Sequence, residues 1–215
     1  MLRWVQQKRS GDRIIEREFR IDPPSRSVPG LIWTPDATTA KRPPVVLIGH
    51  GGSANKRSEA VVAMAHRFVA ELGIAALAID GPYHGDRVPE PMPASEYQRR
   101  NVREGIDAVI ARMVEDWQAT VDALAMARVL DSHQISYNGL SMGTRFGLPI
   151  AAALGERLRC LIIGKFGLEL GSGIDPRLSD PRRVADAARA ITAPTLFPPT
   201  VGRRTLPARR SVSAI

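Results

Sequence analysis

Apolar positions along the chain follow two periods. RIIEREFRI, Arg13 to Ile21, partly alternates apolar and polar residues, as a half-exposed strand does. After DPPSRS a second such run, VPGLIWTP, predicts its antiparallel partner at a sheet edge. PPVVLIGH and IAALAID are continuous apolar runs, the pattern of strands buried on both faces. Between them Val61, Ala65, Phe68, Val69 and Leu72 recur at helical spacing up to Gly73. A long helical pattern runs from Arg103 to Leu130, its core-facing stripe formed by Ile106, Val109, Ile110, Met113, Trp117, Val121, Leu124 and Ala125. Then follow a strand (QISYNGLS), a helix (MGTRFGLPIAAALG, with Pro149 expected to kink it), a strand (LRCLIIG), a short helix (PRRVADAARA) and the start of a buried strand (APTLF). RVPEPMPASEYQRRN carries no clear period and predicts a loop. This alternation of strands and helices predicts an α/β fold, a doubly wound, mostly parallel sheet with helices on both faces.

Two glycine-rich stretches fall at the ends of predicted strands, where open α/β sheets place their sites. GLSMG, Gly139 to Gly143, is a complete G-x-S-x-G between a strand and a helix, and predicts a sharp turn that holds the Ser141 hydroxyl exposed as a nucleophile. The other reading of the same residues is a purely structural turn. GHGGS, Gly49 to Ser53, lets backbone N–H groups approach a substrate oxygen. Those of Gly51 or Gly52 would join that of Met142 in an oxyanion hole. A phosphate loop is the weaker reading of these glycines, since neither G-K-[ST] nor G-x-G-x-x-G is present.

Composition narrows the partners. The 215 residues fit one domain with a substantial core, and 44% hydrophobic with 24% charged residues is the balance of a soluble protein. No apolar run is long enough for a membrane span and the opening residues lack the apolar core of a signal peptide, so a cytoplasmic protein is expected, with no membrane partner. The single Cys160 reads as a buried small hydrophobe. The net charge of +8 raises the question of nucleic acid, but four of those charges are Arg203, Arg204, Arg209 and Arg210, in a tail without an acid. The remaining charges are mixed in sign along helices, the pattern of a solvated face, and no nucleic-acid partner is expected. An arginine-rich arm for nucleic acid or an acidic partner is the third functional reading.

The stretches IGHGGS, IDGPYHGDR and ISYNGLSMGTRFG together resemble the α/β-hydrolase superfamily, in particular its dienelactone-hydrolase-like and esterase-like members, over about residues 12–197. The resemblance implies a serine hydrolase that attacks a carboxylic ester, thioester or lactone through Ser141, without cofactor or metal. It also implies oxyanion N–H groups after the third strand and after the serine, an acid after the seventh strand and a histidine after the eighth. In such families Asp80 to Asp86 is a structural turn beside the pocket. His50, Tyr83, His84 and Glu169 are the candidate pocket residues, with His50 shaping its turn rather than serving as base. The segment Arg87 to Asn101 would be a lid.

The chain departs from that pattern after the serine. His50, His66, His84 and His133 all precede Ser141, and Glu169, Asp175, Asp180 and Asp186 all precede APTLF. A serine without its base is a poor nucleophile, so an impaired enzyme or a non-catalytic hydrolase-like binding protein is the alternative expectation. Residues 1–197 therefore read as the hydrolase domain and 198–215 as a basic tail foreign to it. Rereading one base out of frame after Phe197 permits an acidic turn, Trp-Asp-Asp-Glu, where the acid is expected. The tail is thus expected to be a frame-shifted misreading of the segment that should carry the acid, with the histidine lost beyond it and a marginally stable or aggregating chain as the consequence.

Overall fold

The computed structural model describes residues 1–23, 26–36, 42–166 and 173–198. Among these described residues eight strands form one mixed sheet: β1 (Leu2–Arg9), β2 (Ile14–Ile21), β3 (Val28–Pro35), β4 (Val45–Gly49), β5 (Ala75–Ile79), β6 (Ile135–Leu140), β7 (Leu158–Gly164) and β8 (Thr195–Leu196). Their order is β1-β2-β3-β5-β4-β6-β7-β8, with the first three antiparallel and the run from β5 to β8 parallel. Five helices accompany them: α1 (Glu59–Leu72), α2 (Ala94–Glu104), α3 (Ile106–Met126), α4 (Met142–Leu154) and α5 (Pro181–Ala190). The expected mostly parallel α/β sheet is therefore present.

The two faces carry separate cores. Val46, Ile48, Ala76 and Ala78 point to α1, packing with Val61, Ala65 and Val69. Val45, Leu47, Ala75, Leu77 and Ile79 point the other way, toward α3 and α4. Both faces of β4 and β5 are thus covered, which explains their unbroken apolar runs. The α3 stripe is buried at Val109, Ile110, Met113, Trp117, Val121 and Leu124.

Several elements differ from the expectations. LRWVQQKR is a strand, β1, so β2 and β3 are not the edge. Its side chains are exposed at nearly every position, and such a strand has no apolar period to reveal it. The lid segment contains α2 rather than only loop, and Gly105, at φ 93°, divides α2 from α3 where a single helix is expected. Leu72 is exposed, Cys160 is half-buried, and Pro149 lies inside α4 without ending it. β8 is two residues long and exposed rather than buried, because it lies at the sheet's end. Residues 199–215 and Glu169 lie outside the described residues.

Candidate active site

Register brings the two glycine-rich stretches together. Gly49 and Gly139 are partners in the parallel β4–β6 pair, so the chain leaves both strands at the same place. There Ser141 caps α4 with φ 58° and ψ −116°. A non-glycine residue in such a conformation costs on the order of 1–3 kcal/mol and persists only where the surroundings enforce it. The enforcing contacts are local. The Ser141 N–H donates to the Gly164 carbonyl at 2.9 Å. The Thr144 hydroxyl reaches the carbonyls of Gly139 and Gly164, each at 2.8 Å. The Tyr137 hydroxyl donates to the Gly143 carbonyl at 2.6 Å.

The glycines permit this closeness. A Cβ on Gly139 would lie 2.7 Å from the Gly143 oxygen, and one on Gly143 would fall on the Gly49 carbonyl. The first turn of α4 therefore rests on the end of β4, and only residues without a side chain fit between them. Met142 opens α4, where its N–H has no acceptor within the helix.

Two histidines brace the glycine loop after β4. The Gly81 N–H donates to His50 Nε2 at 2.7 Å, so the proton is on Nδ1, which donates to the Gly51 carbonyl at 2.8 Å. Burial lowers the His50 pKa to about 4, and the neighbouring His84 adds to the effect. His84 faces the carbonyls of Pro82, 2.7 Å from Nδ1, and Gly52, 3.1 Å from Nε2. Both rings thus fix the path of residues 50–52 through backbone contacts, and neither presents a free nitrogen to Ser141. His66 instead meets the Ser10 hydroxyl at 2.9 Å, in α1 on the opposite face, and His133 precedes β6 at the other end of the strand. Among the described residues, no histidine or carboxylate is hydrogen-bonded to the Ser141 hydroxyl. Tyr83, at φ 63°, donates to Glu104 at 2.5 Å.

Beneath the loop after β5 lies a charged network that sequence reasoning missed. Lys56, 1% exposed, bridges Asp80 and Asp86 at 2.6 Å each, and its N–H donates to Asp80 Oδ1. Arg87 donates to the Asp80 carbonyl and pairs with the fully buried Asp116, which Arg26 also reaches. A Cβ on Gly85 would collide with the Asp80 carboxylate. Asp80 to Arg87 is therefore a braced turn. Tyr97 and Arg145 were missed as well. Tyr97, on α2, lies with its ring 4.5 Å from that of His84, and a Cβ on Gly52 would fall on its hydroxyl. Arg145 is 8% exposed, with its guanidinium 5.8 Å above the Phe166 ring and without a hydrogen bond or ion pair to any of the described residues. The Tyr97–Gln98–Asn101 spacing on one helical face was the available signal for α2.

Among solved structures the chain is similar to a cold-adapted esterase from an Arctic intertidal metagenomic library, with 28% identity, 91% of this chain and 76% of that one covered, and a TM-score of 0.71. It is also similar, at 21% identity and TM-score 0.60, to a dienelactone hydrolase-like promiscuous phosphotriesterase from metagenomic libraries, over 86% of this chain and 81% of the other. An acetyl xylan esterase from a Paenibacillus species matches at 15% identity and TM-score 0.55, over 92% and 80%. The fold is that of the α/β-hydrolases. No protein-family model and no curated protein matches the chain. Within this fold the strained serine turn and the glycine loop occupy the ends of adjacent parallel strands. Among the described residues no three His, Cys, Asp or Glu side chains are grouped to hold a metal, and no helix is long and apolar enough to cross a membrane.

Proposed function

We propose that the chain is a serine hydrolase for a carboxylic ester, thioester or lactone, with Ser141 as nucleophile and backbone N–H groups of Gly51 or Gly52 and Met142 as oxyanion donors. The observation that carries this reading is the positive φ of Ser141 at the mouth of α4, enforced by Gly139, Gly143 and Thr144. Nothing in packing alone requires a serine in that conformation. A strand-to-helix turn with a serine in this conformation is the arrangement that presents a nucleophile in such folds. The esterases similar in fold support the ester class.

A second reading, a hydrolase-like binding protein or impaired enzyme, is favoured by the lack of any described histidine or carboxylate at the Ser141 hydroxyl. One experiment separates the two. A fluorophosphonate should label Ser141 covalently and the label should be lost in Ser141→Ala, with nitrophenyl-ester turnover falling in parallel. An unlabelled, well-folded parent chain supports the binding protein instead. The nucleotide sequence across codon 197 tests whether the acid and base lie in a shifted frame.

A further inference from the structure

The geometry points to the Tyr97 hydroxyl as a catalytic group of this site, a third donor to the oxyanion beside the backbone N–H groups; the inference rests on Ser141 being the nucleophile. The Tyr97 side chain is 92% buried by its place in the fold, leaving 8% exposed. Its hydroxyl lies against Gly52, on the side of the glycine loop where any side chain would strike it. No hydrogen bond of that hydroxyl is recorded among the described residues, nor is it one of the sealed-off buried polar atoms. A hydroxyl in such a place, on the loop that would receive the substrate oxygen, has an open donor and needs an acceptor.

Its surroundings fit donation. The His84 ring, itself held by the Pro82 and Gly52 carbonyls, fixes the Tyr97 ring from one side. Burial raises the Tyr97 pKa, which keeps the hydroxyl protonated, while the Arg145 cation opposes that shift. Among the described residues the buried Arg145 guanidinium has no hydrogen-bond or ion-pair partner, and desolvation holds it below its ordinary pKa. A negative charge that forms in the reaction would therefore meet a held O–H with the Arg145 cation near enough to act on it, a preorganised donor of the kind that stabilises an oxyanion. No proton leaves the tyrosine in this step. When Ser141 Oγ bonds to the carbonyl carbon it gives its proton to solvent water and the carbonyl π pair moves to oxygen; Tyr97 donates a hydrogen bond to that oxygen until the pair returns and the leaving group departs with its bonding pair, taking a proton from water.

The test is the rate of Ser141 labelling by a fluorophosphonate, whose phosphoryl oxygen takes the oxyanion's place, in parent and Tyr97→Phe. The phenylalanine keeps the ring against His84 and removes only the donor. The expected result is labelling slower by about 100- to 1000-fold with an unchanged melting temperature, the scale of losing one oxyanion donor. Equal rates, with Ser141 still labelled, overturn this inference and leave the proposed function standing. No label on the parent chain overturns the proposed function itself. Should Tyr97→Phe melt lower, both proteins are labelled well below either melting temperature, where folded Tyr97→Phe must still label more slowly than the parent; if it does not, the hydroxyl has no such role.

Discussion

His50 shows how one buried side chain ties the site to pH. Its Nε2 must accept from Gly81 and its Nδ1–H must donate to Gly51, so only the neutral ring satisfies both backbone groups. Burial holds its pKa at about 4, below the ordinary 6.5. Between those values the unfolded chain binds a proton that the folded chain refuses, so stability rises with pH through this window and is lost as pH falls from 6.5 toward 4. The size follows from the width of the gap, and going from about pH 7.5 to about pH 5 should remove roughly 2 kcal/mol. Denaturant unfolding at both values should show that loss in the parent and a slope flatter by about this amount in His50→Asn. Parallel pH profiles in the two proteins would refute the assignment. The sequence placed His50 on its turn, yet its two partners lie on different strands' loops and no local pattern announces them.

The loop after β5 is the element that positions the glycine loop, through Gly81 to His50 and His84 to Gly52, and it is held from below by Lys56. Lys56 and Asp80 are both buried, so neither charge has water to fall back on. Removing one partner of such a pair leaves the other uncompensated, at a cost of about 3–5 kcal/mol, far above the value of an exposed ion pair. Lys56→Met should therefore lower the unfolding free energy by about that amount, read from denaturant melts at neutral pH. A loss below about 1 kcal/mol would mean that the pair is not buried in solution. The Lys56 hydrogen bond also holds the Asp86 carboxyl below its usual range. Its contribution is thus complete above the ordinary carboxylate value and disappears as pH falls through the depressed one. Motifs made the serine turn and the glycine loop legible because their chemistry is compressed into five consecutive residues. The Lys56–Asp80–Asp86 bridge spans 30 residues of sequence, and α2 hides its buried face among arginines and prolines, so both become readable only in three dimensions.

At the scale of the whole molecule, the two edges of the sheet are unlike. β1 carries Arg3, Lys8 and Arg9 along its length and a register shift between Trp4 and Gln6, both of which discourage pairing with another chain. Among the described residues β8 has neither device: Thr195 and Leu196 pair with β7, Leu196 is 56% exposed, and Phe197 beside it is 60% exposed. An apolar strand with a free backbone row is a template for another strand, and the hydrophobic contribution of two large side chains strengthens it. Self-association should therefore run through β8 rather than β1. Light scattering against protein concentration should show particles at a lower concentration for the parent than for Leu196→Lys/Phe197→Ser, while Trp4→Lys/Val5→Lys on the opposite edge leaves the threshold in place. The reverse order, or no shift in either variant, would show that the β8 edge is covered in solution, and the sheet's exposed end would then have to be explained by whatever covers it.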